Sequence, residues 1–277
     1  MDGLAEGVWT IVFEPFGEVI ELIILSSVLQ QKRGSKIAEI HRPKVIICAI
    51  LGQLWNSCAR SVFKLSLMKN SLGTKIHYVV DILRHGGVVA LPTDTIYGLG
   101  ADISNDIAIE RVFSIKGRLT TKALPVLVAG IEQALQITSC VPNVGLALMK
   151  AFWPGSLTLI CKKSSNVSDK LTGSMSSIAI RHPNHPIPLE IINQLGSPIT
   201  GTSANRSGQP TPFSSNQIIQ LLGADVNYVI PGSCHENSLG STIIDISIEQ
   251  PAIVRTGSIP VQELTAIMQT AREDNGH

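Results

Sequence analysis

Two cations and a glycine, Lys116-Gly117-Arg118, close an apolar helical pattern, and Lys122 follows four residues after Arg118. Cations at a helix C-terminus complement the helix dipole. Three of them around a glycine also suit a polyphosphate, arginine supplying a forked donor and lysine a point charge. Farther on, Ser203-Ala204-Asn205 and then Ser207-Gly208 place short donors in a loop able to approach a ligand closely. Arg181 and Arg255 each end an apolar run, a costly place for a cation unless an anion meets it. The stretch Leu91-Pro-Thr-Asp-Thr-Ile-Tyr-Gly-Leu-Gly100 carries hydroxyls, a carboxylate and a phenol directly after a buried run. It has the composition of a rigid turn as much as that of a binding loop. Together these groups outline an anion pocket at strand ends, where open α/β sheets hold ligands.

Other chemistries lack their residues. There is no G-x-x-x-x-G-K-[ST] loop and no H-E-x-x-H pair, and Gly98-Leu99-Gly100 is not followed by the third glycine of a dinucleotide fingerprint. Asn205 stands where a nucleophile elbow needs glycine. His182 and His185 are separated by Pro183 and followed by Pro186, so no helix aims both at one metal. The five cysteines form no C-x-x-C pair and no zinc spacing, the pattern of buried thiols in a reducing compartment.

The elements that must hold these groups alternate between two periods. Tyr78, Val79, Ile82 and Leu83 predict a helical face ended by Gly86-Gly87. Val88 to Leu91 predict a buried strand stopped by Pro92, and Ser104 or Asn105 can cap a helix carrying Ile109, Val112 and Phe113. Strands are predicted at 124–128, 157–161, 178–181, 198–201, 228–230, 242–246 and 252–255. Helices are predicted at 144–152, 188–195, 215–222 and 261–271. Several strands follow one another without a helix between, which predicts an α/β domain with a mixed, partly parallel sheet flanked by helices. Apolar residues at 44% sustain a large core. Balanced charges, 22 basic against 21 acidic, exclude a polycationic surface, and 4% aromatics argue against stacking platforms for single strands.

From about His77 to Pro260 the chain resembles the YrdC-like family of threonylcarbamoyl-AMP synthases. The resemblance rests on seven blocks in order: 92–102, 116–118, 152–158, 178–186, 202–208, 240–245 and 253–257. It implies a single twisted domain with a basic concave face. It also implies that L-threonine, bicarbonate or CO2 and ATP give L-threonylcarbamoyladenylate and pyrophosphate. A separate transferase complex would pass the threonylcarbamoyl group to adenosine 37 of ANN-decoding tRNAs. By resemblance, Lys116, Arg118 and Lys122 hold the triphosphate, the first two being catalytic, and Mg2+ arrives with ATP. Ser177, Asn205, Ser241 and Arg255 complete the nucleotide environment; Thr95, Arg181 and Ser203 hold threonine, Arg181 by its carboxylate. Two departures weaken the threonine map: Pro125 is shifted from its usual place after Lys122, and Leu127 stands where several members have a histidine. With some twenty residues after Gly257, the match is to the short single-domain form.

Residues 1–74 are expected to be an N-terminal extension, 75–260 the catalytic domain and 261–277 a C-terminal helix and tail. Between Gln31 and Asn70 stand eight cationic side chains against one acid, Glu39, as in an organelle transit segment, whereas Asp2, Glu6 and Glu14 argue for a cytoplasmic protein. The longest apolar stretches, 19–29 and 45–55, fall short of the ~20 residues that span a bilayer. Two alternatives stand beside the synthase: a non-catalytic module binding tRNA or double-stranded RNA weakly, and a carbamoyl transferase.

Overall fold

A computed structural model describes residues 8–13, 18–23 and 72–273, with side chains from 75 to 271. In the N-terminal unit, β1 (Val8–Phe13) pairs antiparallel with β2 (Glu18–Ile23), Val8 opposite Ile23. The basic stretch 31–70, with its suggested targeting role, lies outside the described residues.

The larger unit begins with α1 (Leu72–Arg84), β3 (Val89–Leu91), β4 (Gly98–Gly100) and α2 (Asp106–Lys116). Next come β5 (Val126–Leu127), α3 (Ile131–Gln136), β6 (Thr138–Cys140), α4 (Asn143–Phe152) and β7 (Leu157–Lys163). They lead into α5 (Asp169–Thr172), β8 (Ser177–Arg181), α6 (Pro186–Leu195), β9 (Ile199–Thr200) and β10 (Thr202–Ser203). The chain ends with α7 (Ser215–Leu222), β11 (Tyr228–Val229), β12 (Thr242–Asp245), β13 (Ala252–Arg255) and α8 (Val261–Glu273).

Two mixed sheets result, in the orders β10-β4-β3-β11 and β13-β12-β7-β8-β5-β9, with β6 beside β7. Parallel pairs (β3–β11, β5–β8, β7–β12) alternate with antiparallel ones, as the helix-free strand successions predict. The continuous apolar run at β3 is explained by cover on both faces. Val88 and Ala90 enter one buried cluster with Ile109, Val112 and Phe113, while Val89 and Leu91 enter another with Val79, Leu83, Ile191 and Ile192. Each such side chain contributes at most about 1.5–3 kcal/mol on burial. Leu264 and Ala271 of α8 lie in the first cluster, so the C-terminal helix belongs to the same core as the strands. The sheets meet where β9 passes through Gly201 into β10. Gly201 N–H donates to Pro125 O (2.7 Å), and a Cβ there would fall 2.5 Å from Leu127 Cγ.

The sequence expectation lacks α3, β6, α5 and β10, and it differs at one further element. Gly98-Leu99-Gly100 forms β4, pairing on one side with β3 and on the other with β10, where it was expected to be loop. Leu127, standing where several family members have a histidine, is buried in the cluster that α1 and α6 share.

Candidate active site

Local rules carry α2 to the site. Asn105 caps it, its Oδ1 accepting from Ile107 and Ala108 N–H, and Gly117 ends it in the left-handed region (φ 56°). Arg118 N–H then donates back to Phe113 O (3.1 Å), which fixes the reversal that separates Lys116 from Arg118. Across from this turn, β10 is aligned by Ser203 opposite Gly98 and by Ala204 N–H donating to Tyr97 O (2.8 Å).

Lys116 is 3% exposed and its ammonium points into the 203–205 loop. Nζ donates to Ser203 O (2.5 Å), Asn205 O (3.0 Å) and Asn205 Oδ1 (2.9 Å), with Ser203 Oγ at 3.4 Å. Ser203 Oγ in turn donates to Asn205 Oδ1 (2.7 Å), and Ser207 N–H donates to Lys116 O (2.8 Å). Burial, aided by the nearby Arg118 charge, draws the Lys116 pKa down to about 8. Arg118 donates through Nη2 to Ala123 O (2.9 Å), while its Nε is buried without a protein partner among the described residues. Burial lowers its pKa as well. These residues, with Gly117, Leu119, Lys122, Ser207 and Gly208, line a cavity of about 340 Å³ whose wall contains no carboxylate.

A second centre lies at the end of β8. Arg181 is 6% exposed; Nε donates to Gly155 O (2.8 Å), Nη1 to Thr95 Oγ1 (2.6 Å), and Nη2 stands 2.6 Å from Asp94 Oδ1. That last contact is a close, buried ion pair, and neither atom has a further partner among the described residues. Burial lowers the Arg181 pKa, Asp94 opposes that effect, and the Arg255 charge adds to it. Arg255 donates through Nη2 to Ser241 O (2.7 Å) and Ser241 Oγ (3.1 Å), and Thr158 Oγ1 lies 2.7 Å from Ser241 Oγ.

The structure therefore brings Lys116, Arg118, Lys122, Ser203 and Asn205 around one cavity. It joins Thr95 with Arg181, and Ser241 with Arg255. Ser177 opens β8 opposite Lys162, at the far end of the strand from Arg181 by roughly 13 Å at the usual rise, and is absent from the cavity wall. Arg181, expected to meet a carboxylate of the substrate, is held by Gly155, Thr95 and Asp94 through one contact at each nitrogen. Tyr97 is fully buried and donates to Ile230 O (2.9 Å), a structural role. The carboxylate of Asp94 was noted in the sequence, but its pairing with Arg181, like that of the Gly155 carbonyl, was not. The only signal for Asp94 was its place between two threonines directly after a buried strand.

A family model described as "Telomere recombination", covering Sua5, YciO and YrdC, matches residues 81–257. Threonylcarbamoyl-AMP synthase of Pyrococcus abyssi is 34% identical over 72% of this chain and 58% of its own length. The protein of the same name from Bacillus subtilis is 35% identical over 73% and 59%. This chain thus spans about three fifths of the length of those two relatives. The crystal structure of P. abyssi Sua5 complexed with L-threonine superposes with a TM-score of 0.68 at 34% identity, covering 72% of this chain and 58% of that one. With the cation cavity, the Arg181 centre and the mixed sheets all in place, the chain belongs to the Sua5/YciO/YrdC family.

Proposed function

We propose that the protein joins L-threonine, bicarbonate or CO2 and ATP into L-threonylcarbamoyladenylate, releasing pyrophosphate, for threonylcarbamoylation of tRNA by a separate transferase. The observation that carries this reading is the cavity wall itself: Lys116, Arg118 and Lys122 around about 340 Å³, no carboxylate among the lining residues, and a buried Arg118 Nε without a partner. Such a wall fits a polyphosphate. The names of the relatives and the L-threonine complex of P. abyssi Sua5 support the choice of substrates.

In this mechanism a carbamate oxygen of N-carboxythreonine attacks the α-phosphorus, and the bond from that phosphorus to the α,β-bridging oxygen breaks, so that the β- and γ-phosphates leave together as pyrophosphate. Charge builds on the leaving pyrophosphate, where the cations Arg118 and Lys122 stabilise it. Lys116 holds the 203–205 loop against the phosphates and adds its own charge. No covalent nucleophile is required, and burial pushes the Cys161 thiol up to about 12. The cavity offers hydroxyl and amide oxygens but no carboxylate, and no metal-holding cluster of His, Cys, Asp or Glu occurs among the described residues. This donor set would suit a Mg2+ carried by phosphate oxygens and water, Ser203 and Asn205 being the residues of the wall with neutral side-chain oxygens to offer.

The test is pyrophosphate release from ATP by purified protein, with L-threonine and bicarbonate each present or omitted. Release that needs both, with the adenylate mass in the products, is the expected result. No release from folded protein with Mg2+ present, together with salt-sensitive RNA binding, would move the assignment to an RNA-binding module.

A further inference from the structure

Three cations line the cavity, but they are not held alike. Lys116 is locked by oxygens of residues 203–205, and Arg118 by Ala123 O. Among the described residues no hydrogen bond or ion pair holds the Lys122 ammonium, so the backbone beneath it decides where that charge sits. This backbone is a short turn in which Lys122 N–H donates to Leu119 O (3.1 Å). Residues 119–122 are all exposed, so the turn has no apolar anchor of its own.

Its support is α5, a single helical turn to which the proposed reaction gives no role. Leu171 and Thr172 are fully buried, which roots α5 in the core. On one side it is tied to α2, Ser168 Oγ donating to Asp106 Oδ1 (2.7 Å) and Lys170 Nζ to Glu110 Oε1 (2.5 Å). On the other, Leu171 O accepts from Leu124 N–H (2.9 Å) just beyond the Lys122 turn. Gly173 ends α5 at φ 59° and Ser174 follows at 64°, two successive left-handed residues that reverse the chain. The reversal lays Gly173 directly on the turn. A Cβ there would fall 2.5 Å from both C and O of Thr121 and 3.0 Å from Thr120 O. These are backbone atoms, so no change of rotamer relieves the overlap.

We propose that Gly173 is a positioning residue for the polyphosphate: without a Cβ, it lets the 119–122 turn settle on α5 at the depth from which Lys122 reaches the phosphates. The inference rests on the reading that this cavity takes a polyphosphate. A side chain at 173 must open the 2.5 Å separation beyond 3.0 Å. Because α5 is rooted by Leu171 and the turn is not, the turn gives way and carries Lys122 with it. The attraction between an ammonium and a phosphate falls with distance, so the displacement is read as lost affinity.

The experiment is a double-mutant cycle on the full chain, read as Kd for ATP with Mg2+ by calorimetric titration. Lys122→Met is expected to weaken ATP by about 10- to 100-fold, the range of a charge-assisted hydrogen bond. Gly173→Ala should weaken it by about 3- to 10-fold and leave L-threonine within about twofold of wild type. In the Lys122→Met background, Gly173→Ala should cost less than about twofold more, because the charge it positions is gone. The same loss with and without Lys122 would show that Gly173 serves the fold alone. No loss in Gly173→Ala would show that the turn absorbs the Cβ in place, and no loss in Lys122→Met that this ammonium is not a ligand. Each of these overturns the proposal. If Gly173→Ala fails to give a cooperative melt, Gly173→Asn takes its place in the cycle, since asparagine tolerates the left-handed region but keeps the Cβ against Thr121. Wild-type binding separates the two levels of argument. A wild type that binds ATP while the cycle is additive loses only the role of Gly173. A wild type that binds neither ATP nor pyrophosphate overturns the polyphosphate reading and this proposal with it.

Discussion

Lys116 and Arg181 are both cations buried beneath a loop, but their charges are answered differently. Around Lys116 stand neutral oxygens of residues 203–205, a second cation and an open cavity. Around Arg181 stand a carbonyl, a hydroxyl and the Asp94 carboxylate, with almost no accessible surface. The first arrangement leaves net positive charge facing space, so an anion completes it. The second is nearly neutral within itself and displays its acid. Residue type alone would have made both of them anion sites; the partners decide.

The sharpest way to break this comparison is to remove each cation in turn. Lys116→Met is expected to lower kcat/KM for adenylate formation by at least about 10³-fold, since charge and loop anchor vanish together, and Arg118→Ala by about 10²-fold. Steady-state pyrophosphate release measures both. Near-wild-type turnover in Lys116→Met would end the claim that this cavity is the reaction centre.

Stability should separate Lys116 from Arg181. Arg181→Met strands Asp94 without its counter-charge and is expected to cost about 3–5 kcal/mol in chemical denaturation. Lys116→Met leaves neutral oxygens that cavity water can reach, so its cost should be nearer 1–2 kcal/mol. Equal losses would mean that the two cations are compensated alike.

How far the sequence led is visible in the same two centres. The Lys116 turn was legible because each step is local: Asn105 as cap, an apolar helical face, glycine after the last helical residue. The Arg181 centre was only half legible. Its arginine stood out as a cation ending an apolar strand, but Gly155 and Asp94 become its partners only through contacts 26 and 87 residues away. The strand Gly98–Gly100 was hidden for a related reason. Two glycines in three residues carry almost no strand propensity, and the pairing is imposed by β3 and β10. A Cβ on Gly100 would come 2.6 Å from Leu91 Cδ2, so close strand packing, rather than a flexible ligand loop, explains that glycine.

Protonation sharpens the contrast further. Folding lowers the Lys116 pKa from 10.5 to about 8. Below about pH 8 the group is charged in both folded and unfolded chains; between about 8 and 10.5 only the unfolded chain keeps the proton. This group's contribution to folding stability therefore rises with pH across that window. Nucleotide affinity should move oppositely, falling by up to about tenfold per pH unit above 8 as the ammonium discharges. ATP titrations and denaturation from pH 7 to 9.5 should diverge in wild type and run flat in Lys116→Met. Parallel trends in wild type would mean that a different group titrates.

The smallest effect tests the hinge between the two cations. Gly117 holds φ 56°, and a Cβ added there meets nothing within 4 Å, so Gly117→Ala strains the backbone without creating a clash. The cost of a left-handed non-glycine residue is about 1–2 kcal/mol. Part of it can be relieved by letting Arg118 swing out of the reversal set by its N–H bond to Phe113 O. The variant should thus lose about 1 kcal/mol in denaturation and weaken ATP more than L-threonine, because the Arg181 centre, hung on β8 and the β3–β4 turn, does not share this hinge. If threonine weakens as much as ATP, the two centres move as one and their separate compensation does not give them separate roles.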